Sequence, residues 1–171
     1  MPKLNREAQH RINFTLNGAK VTGFAEPRML LTDFLRQQLG VTGCHVGCEH
    51  GVCGACTLHI DGKAQRGCLT LAVQADGCNV DTVESLAGRE EELTDLQQAF
   101  QKHHGLQCGY CTPGVLMSVS DYLTRNPDPT EEEIRDMLSG HLCRCTGYAG
   151  MVHAILATAR GRLGEGGVGI E

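Results

Sequence analysis

The chain has 171 residues, a net charge of −5, 41% apolar and 4% aromatic residues, and no tryptophan. That balance offers neither a basic footprint for nucleic acid nor stacking platforms for bases, and no stretch approaches the ~20 apolar residues of a membrane span. Ten cysteines follow a polar N-terminus, Met1 to Glu7, that has no apolar secretory core and no twin-arginine pair; metal ligands in a reducing, cytoplasmic setting are therefore expected in place of a disulfide framework, with proteins as partners.

Along residues 11–24 the pattern alternates as in a strand, with Ile12, Phe14 and Leu16 on one face. Asn17-Gly18 is a tight-turn pair, because both turn positions need positive φ, and Val21 to Phe24 returns as a second strand. Met29, Leu30, Phe34 and Leu35 recur at helical spacing, which predicts a helix over 28–39 closed by Gly40. A glycine-dense loop runs from Gly40 to Cys56, Thr57 to Ile60 reads as a strand, Asp61-Gly62 as another turn, and Cys68 to Val73 as an apolar segment arriving from a next strand. Strands plus one helix around a cysteine loop predict a small α+β domain.

The second half changes character. Thr94 with Gln97 forms a capping-box pattern ahead of Leu96, Ala99 and Phe100, in a helix ending at Gly105. Thr112-Pro113 is a cap followed by proline at the first helical position, opening a helix through Val115, Leu116, Met117 and Val119. Asn126 to Pro129 breaks it. Thr130 with Glu133 starts a short helix that Ser139-Gly140 ends, and a last helix spans about Tyr148 to Leu163. Four helices in one stretch predict a bundle. We expect domains at 1–87 and 88–163, with a glycine-rich flexible tail over 164–171; neither half repeats the other.

Eight cysteines fall into two sets of four. Cys48, Cys53, Cys56 and Cys68 follow the C-x4-C-x2-C spacing with one distant cysteine that plant-type [2Fe–2S] ferredoxins use. Thiolates must converge to bind iron, and a loop with Gly47, Gly51 and Gly54 lets backbone amides point at the cluster sulfurs, whose negative charge grows on reduction. Zinc also accepts four thiolates, but its knuckles pair two C-x2-C units. Cys108-x2-Cys111 and Cys143-x-Cys145 form the second set, both near helix starts where negative charge is favoured. By spacing alone zinc stays open there. Arg144 either offsets the added electron or faces solvent.

Cys44 does not fit the template, since replacing Cys48 by it lengthens the first gap, so it reads as a spare thiol near the cluster. Cys78 lies in a turn with no partner at useful spacing. The histidines His45, His50, His59, His103, His104, His141 and His153 read as surface or packing residues because each set already has four cysteines, and Glu131-Glu132-Glu133 reads as an acidic first helical turn. A chain with two one-electron centres and no catalytic groups is suited to passing electrons. A free-standing two-cluster electron carrier and a zinc-stabilised interaction module are the alternatives.

Three stretches, GCEHGVCGACTL from Gly47 to Leu58, QCGYCTPG from Gln107 to Gly114 and LCRCTGY from Leu142 to Tyr148, together resemble the small iron–sulfur subunit of the xanthine dehydrogenase and aldehyde oxidase family of molybdenum hydroxylases. The resemblance spans about residues 11–160. It implies an N-terminal plant-type ferredoxin-like β-grasp domain and a C-terminal four-helix bundle, with one [2Fe–2S] cluster in each. It implies that Cys108, Cys111, Cys143 and Cys145 hold the cluster nearer molybdenum, that Gln107 and the backbone at Cys145 touch the pterin, and that Cys48, Cys53, Cys56 and Cys68 hold the outer cluster. Also implied are a large subunit carrying molybdopterin, as its cytosine dinucleotide, a medium subunit carrying FAD, assembly as a dimer of heterotrimers, and one-at-a-time electron passage from molybdenum to FAD or another acceptor. The resemblance leaves purines, N-heteroaromatics, aldehydes, aromatic thioesters and carbon monoxide open as substrates, with an N-heteroaromatic compound or aldehyde favoured. Members of the family commonly have a non-cysteine residue, often threonine, where this chain has Cys44.

Overall fold

The hairpin read from Asn17-Gly18 is present: β1 (His10–Leu16) pairs antiparallel with β2 (Ala19–Ala25), Phe14 opposite Val21, and both turn residues have positive φ. The computed structural model describes residues 4–5, 7–87 and 92–162. The expected domain boundary at 87/88 therefore adjoins residues outside that range, and the expected tail over 164–171 lies outside it. β3 (Thr57–Ile60), β4 (Lys63–Arg66) and β5 (Asn79–Asp81) complete a five-stranded mixed sheet in the order β2-β1-β5-β3-β4, with β1 and β5 parallel and the other pairs antiparallel.

The inward face of β1, Ile12, Phe14 and Leu16, packs with Leu31, Phe34, Leu35, Leu58 and Val80 into one core. Each such side chain contributes about 1.5–3 kcal/mol when fully buried. Gly23 of β2 is where the Phe34 ring sits: a Cβ there would lie 2.5 Å from Phe34 Cζ.

The helix expected over 28–39 is shorter and wider than its spacing suggests. Leu30 is spent on a bridge to Leu71, so α1 begins only at Leu31 and covers Leu31–Asp33 before the chain widens into a π-helical turn, Phe34–Gln38. Cys68 lies not on a strand but on a 3-10 turn, Gly67–Leu69, after β4, and the apolar segment beyond it forms a second such turn, Ala72–Ala75.

The second half supplies α2 (Asp95–Lys102), α3 (Thr112–Arg125), α4 (Glu131–Ser139) and α5 (Ala149–Arg162). Thr94 and Thr130 make the expected reciprocal capping boxes with Gln97 and Glu133. For α3 the cap is Cys111, with Thr112 already helical. Leu96, Phe100, Val115, Val119, Leu123, Ile134, Leu138, Met151, Val152 and Ile155 form a separate core. The chain is thus α+β, with two hydrophobic cores.

The cores meet along β3, β4 and α3. His59 donates from Nε2 to the Met117 carbonyl (2.7 Å), Asp121 accepts from the Ala64 amide (3.2 Å), and Arg66 reaches both Thr57 Oγ1 and the Gly140 carbonyl. Among the described residues no helix is long and apolar enough to cross a membrane.

Candidate metal centres

The loop between α1 and β3 presents Cys48, Cys53 and Cys56, and the 3-10 turn after β4 brings Cys68 beside Cys56. The loop bends through Glu49, Gly51 and Gly54, all at positive φ. Its backbone amides turn onto sulfur: the Cys53 N–H, first, and those of His50 and Val52 bring the Cys48 thiol down to about 6, with Cys53 N 3.4 Å from Cys48 Sγ. Cys56 is buried, and desolvation pushes its thiol up to about 11. Desolvation also raises Cys53. Amides aimed at one sulfur stabilise negative charge before any ion is bound.

The second set is assembled at helix starts. Cys111 caps α3 and is buried, and burial followed by contact with the Cys143 thiol raises it to about 12. Burial raises Cys143 too, but the Thr146 hydroxyl and amide and the Cys145 amide outweigh it, and the net shift is downward. Thr146 Oγ1 lies 3.1 Å from Cys143 Sγ, while the Tyr148 hydroxyl accepts from the Cys143 amide and donates to the His141 carbonyl, both at 2.9 Å. Cys108 and Cys145 are exposed and touch each other, and that contact raises Cys145.

All ten cysteines are free thiols. Contacts between the eight run two by two, Cys48 with Cys53, Cys56 with Cys68, Cys108 with Cys145 and Cys111 with Cys143, and the weaker electrostatic couplings stay within each set. Among the described residues no three Cys, His, Asp or Glu side chains are arranged to hold a single metal ion. A [2Fe–2S] cluster takes four thiolates, two on each iron, and each set offers four. The donor sets therefore fit the cluster, and the amides on Cys48 fit its charge.

Cys44 is also buried and close to the first set, with its thiol donating to the Cys56 carbonyl (3.4 Å) and burial raising it to about 12. It contributes to loop packing. Cys78 stands apart, its thiol 3.6 Å from the Gln74 carbonyl. Gln107 and Arg144 are both exposed.

The sequence does not reveal how closely the two ligand loops touch. The Leu142 amide donates to the Cys53 carbonyl (2.9 Å), so Cys53 of one set is one hydrogen bond from the neighbour of Cys143 in the other. A Cβ on Gly114, in the first turn of α3, would run into the Gly54 carbonyl, and one on Gly54 would run into His141. His141 is buried and hydrogen-bonds Ser118 through Nε2 (2.7 Å), while its Nδ1 has no partner; burial, then nearby Arg66, lowers its pKa to about 4. Tyr110 and His45 stack across the same junction. The glycines are the available signal, although Gly114 reads equally well as part of a helix start.

Comparison with known proteins accords with this geometry. A model of a [2Fe–2S] binding domain matches residues 82–156. Caffeine dehydrogenase subunit gamma of Pseudomonas sp. (strain CBB1) is 52% identical over 86% of this chain and 90% of its own length. The nicotine 6-hydroxylase small subunit of Paenarthrobacter nicotinovorans is 51% identical over 90% of this chain and 92% of its own. The crystal structure of quinoline 2-oxidoreductase from Pseudomonas putida 86 superposes with a TM-score of 0.86 at 49% identity, covering 92% of this chain and 98% of that one. The chain belongs to the small iron–sulfur subunits of the xanthine dehydrogenase family of molybdenum hydroxylases.

Proposed function

We propose that this electron-transfer subunit carries two [2Fe–2S] clusters, one held by Cys48, Cys53, Cys56 and Cys68 and one by Cys108, Cys111, Cys143 and Cys145. The observation that carries this reading is the pairing of thiols within each set, Cys48 with Cys53, Cys56 with Cys68, Cys108 with Cys145 and Cys111 with Cys143. Each cluster supplies a one-electron station. The chain's own groups do the rest: the amides of His50, Val52 and Cys53 stabilise added negative charge, Thr146 does so at Cys143, and burial of Cys56 and Cys111 keeps water from one side of each set.

The second set is the one that faces the molybdenum subunit. Cys108 and Cys145 are exposed beside Gln107 and the exposed Leu106 and Leu142, a surface that a partner has reason to cover. In this reading Gln107 and the Cys145 backbone meet a molybdopterin cytosine dinucleotide on a large subunit. The first set passes electrons on to FAD on a medium subunit or to another acceptor, in a cytoplasmic dimer of heterotrimers. The layout is a ferredoxin-like β-grasp domain over 1–87 and a four-helix bundle over 88–163; the two separate cores support it. Relatives named for caffeine and nicotine, and a structure named for quinoline, favour an N-heteroaromatic substrate over an aldehyde.

Purification of the tagged chain from its native host tests this directly. Two larger chains, molybdenum and flavin should accompany it, and the assembly should oxidise an N-heteroaromatic substrate. Isolation of the chain alone, loaded with iron and free of molybdenum, would instead identify a free-standing carrier.

A further inference from the structure

We infer that the stacked pair His45 and Tyr110 is a positioning element that helps hold the two thiol sets in register, and so sets in part how fast an electron crosses between them. This rests on the two-cluster function proposed above. Tyr110 lies between the ligands Cys108 and Cys111, and the positive φ of Gly109 (80°) turns the chain immediately before it. His45 lies on the other ligand loop, ahead of Cys48.

The rings are 4.7 Å apart between centroids and inclined by 24°. Two reciprocal hydrogen bonds lock them: the Tyr110 hydroxyl donates to the Val46 carbonyl (2.7 Å), and His45 Nδ1 donates to the Tyr110 carbonyl (2.8 Å). The tyrosine also reaches the first set itself. A Cβ at Gly47 would lie 3.7 Å from Tyr110 Cε1 and 3.1 Å from Cys53 Sγ, so the ring edge and a ligand sulfur flank one point.

Core packing does not account for the pair. Tyr110 is 50% exposed, and neither residue belongs to either hydrophobic core. What the stack does join is two ligand loops from separate cores. Tunnelling between fixed centres weakens steeply with separation, so an element that holds the loops in register acts on rate more than on stability. An aromatic pair shifts the population of aligned loops about two- to tenfold.

The test uses the full chain in complex with its partner subunits, with iron and labile sulfide measured for every variant. The readouts are the magnetic interaction between the two reduced centres, seen as splitting in electron paramagnetic resonance, and the single-turnover rate of electron passage between them. Tyr110→Leu should keep both centres, weaken the splitting and slow that step about two- to tenfold. Tyr110→Phe keeps the ring and should restore most of both, and His45→Ala should reproduce the leucine variant. Splitting and rate unchanged in Tyr110→Leu would overturn the inference; if that variant loses iron, His45→Ala decides by the same two readouts. A single paramagnetic centre in the unaltered protein would instead remove the two-cluster function on which the inference stands.

Discussion

The first thiol set is carried mainly by one loop, with Cys48, Cys53 and Cys56 close in sequence and Cys68 added from a 3-10 turn. The second is gathered from two distant segments, at the cap of α3 and ahead of α5. Despite these different routes, both end with one buried and one outward side. Cys56 and Cys68 are buried while Cys48 and Cys53 are half-buried; Cys111 is buried while Cys108 and Cys145 are exposed. The loop-borne set depends on local backbone geometry, and the helix-borne set on a packed core that aligns two helix starts. Damage to the core between α3 and α5 should therefore harm the second set selectively.

The largest effect is expected from the ligands. Cys111→Ser should remove one paramagnetic signal, leave the other intact and abolish substrate-driven electron flow; Cys56→Ser should do the converse to the signals. Loss of both signals from either variant would break the separation between the sets. The next effect belongs to the junction. Gly114→Ala places a methyl group against the Gly54 carbonyl and should cost about 1–3 kcal/mol in urea unfolding, as overpacking does. It should also disturb both signals, because this contact joins the two loops.

Asp121 sharpens the same junction electrostatically. Burial raises its carboxyl, but the Arg125 guanidinium, the Ala64 amide and nearby His59 outweigh that and the net shift is downward. Its folded pKa lies below the unfolded value near 3.8, so its stabilisation is present above that pH and is lost as pH falls through the folded pKa. Asp121→Asn should cost about 1 kcal/mol at neutral pH, and the difference from the unaltered chain should shrink in acid. A difference that does not shrink as pH falls below the unfolded value near 3.8 would show that the charge is not the cause. Thr130→Ala, at the cap of α4, should cost about 1 kcal/mol of stability and leave both signals unchanged. Cys78→Ser should cost no iron.

Features set by neighbours along the chain are legible in the sequence alone. Both hairpin turns, the capping boxes at Thr94 and Thr130 and the separation of cysteines into two sets depend on local spacing. β4 and β5 escape such a reading, because Lys63–Arg66 has only the small Ala64 as an apolar residue and Asn79–Asp81 is too short for alternation to register. Spacing overstates the helix over 28–39 because Leu31 N bonds to the Thr70 carbonyl and Ala72 N to the Met29 carbonyl, long-range pairing that outcompetes the first helical turn. The junction is invisible in the sequence for a similar reason: the contacts of Leu142 with Cys53, of Arg66 with Gly140 and of His45 with Tyr110 join residues that no periodicity connects.

The most direct test of the two-cluster claim is paramagnetic resonance of the chemically reduced chain, with iron, zinc and acid-labile sulfide quantified in the same sample. The two donor sets predict two distinguishable [2Fe–2S] signals of equal intensity and about four irons and four labile sulfides per chain. One signal with about half that iron, or zinc without labile sulfide, would contradict it.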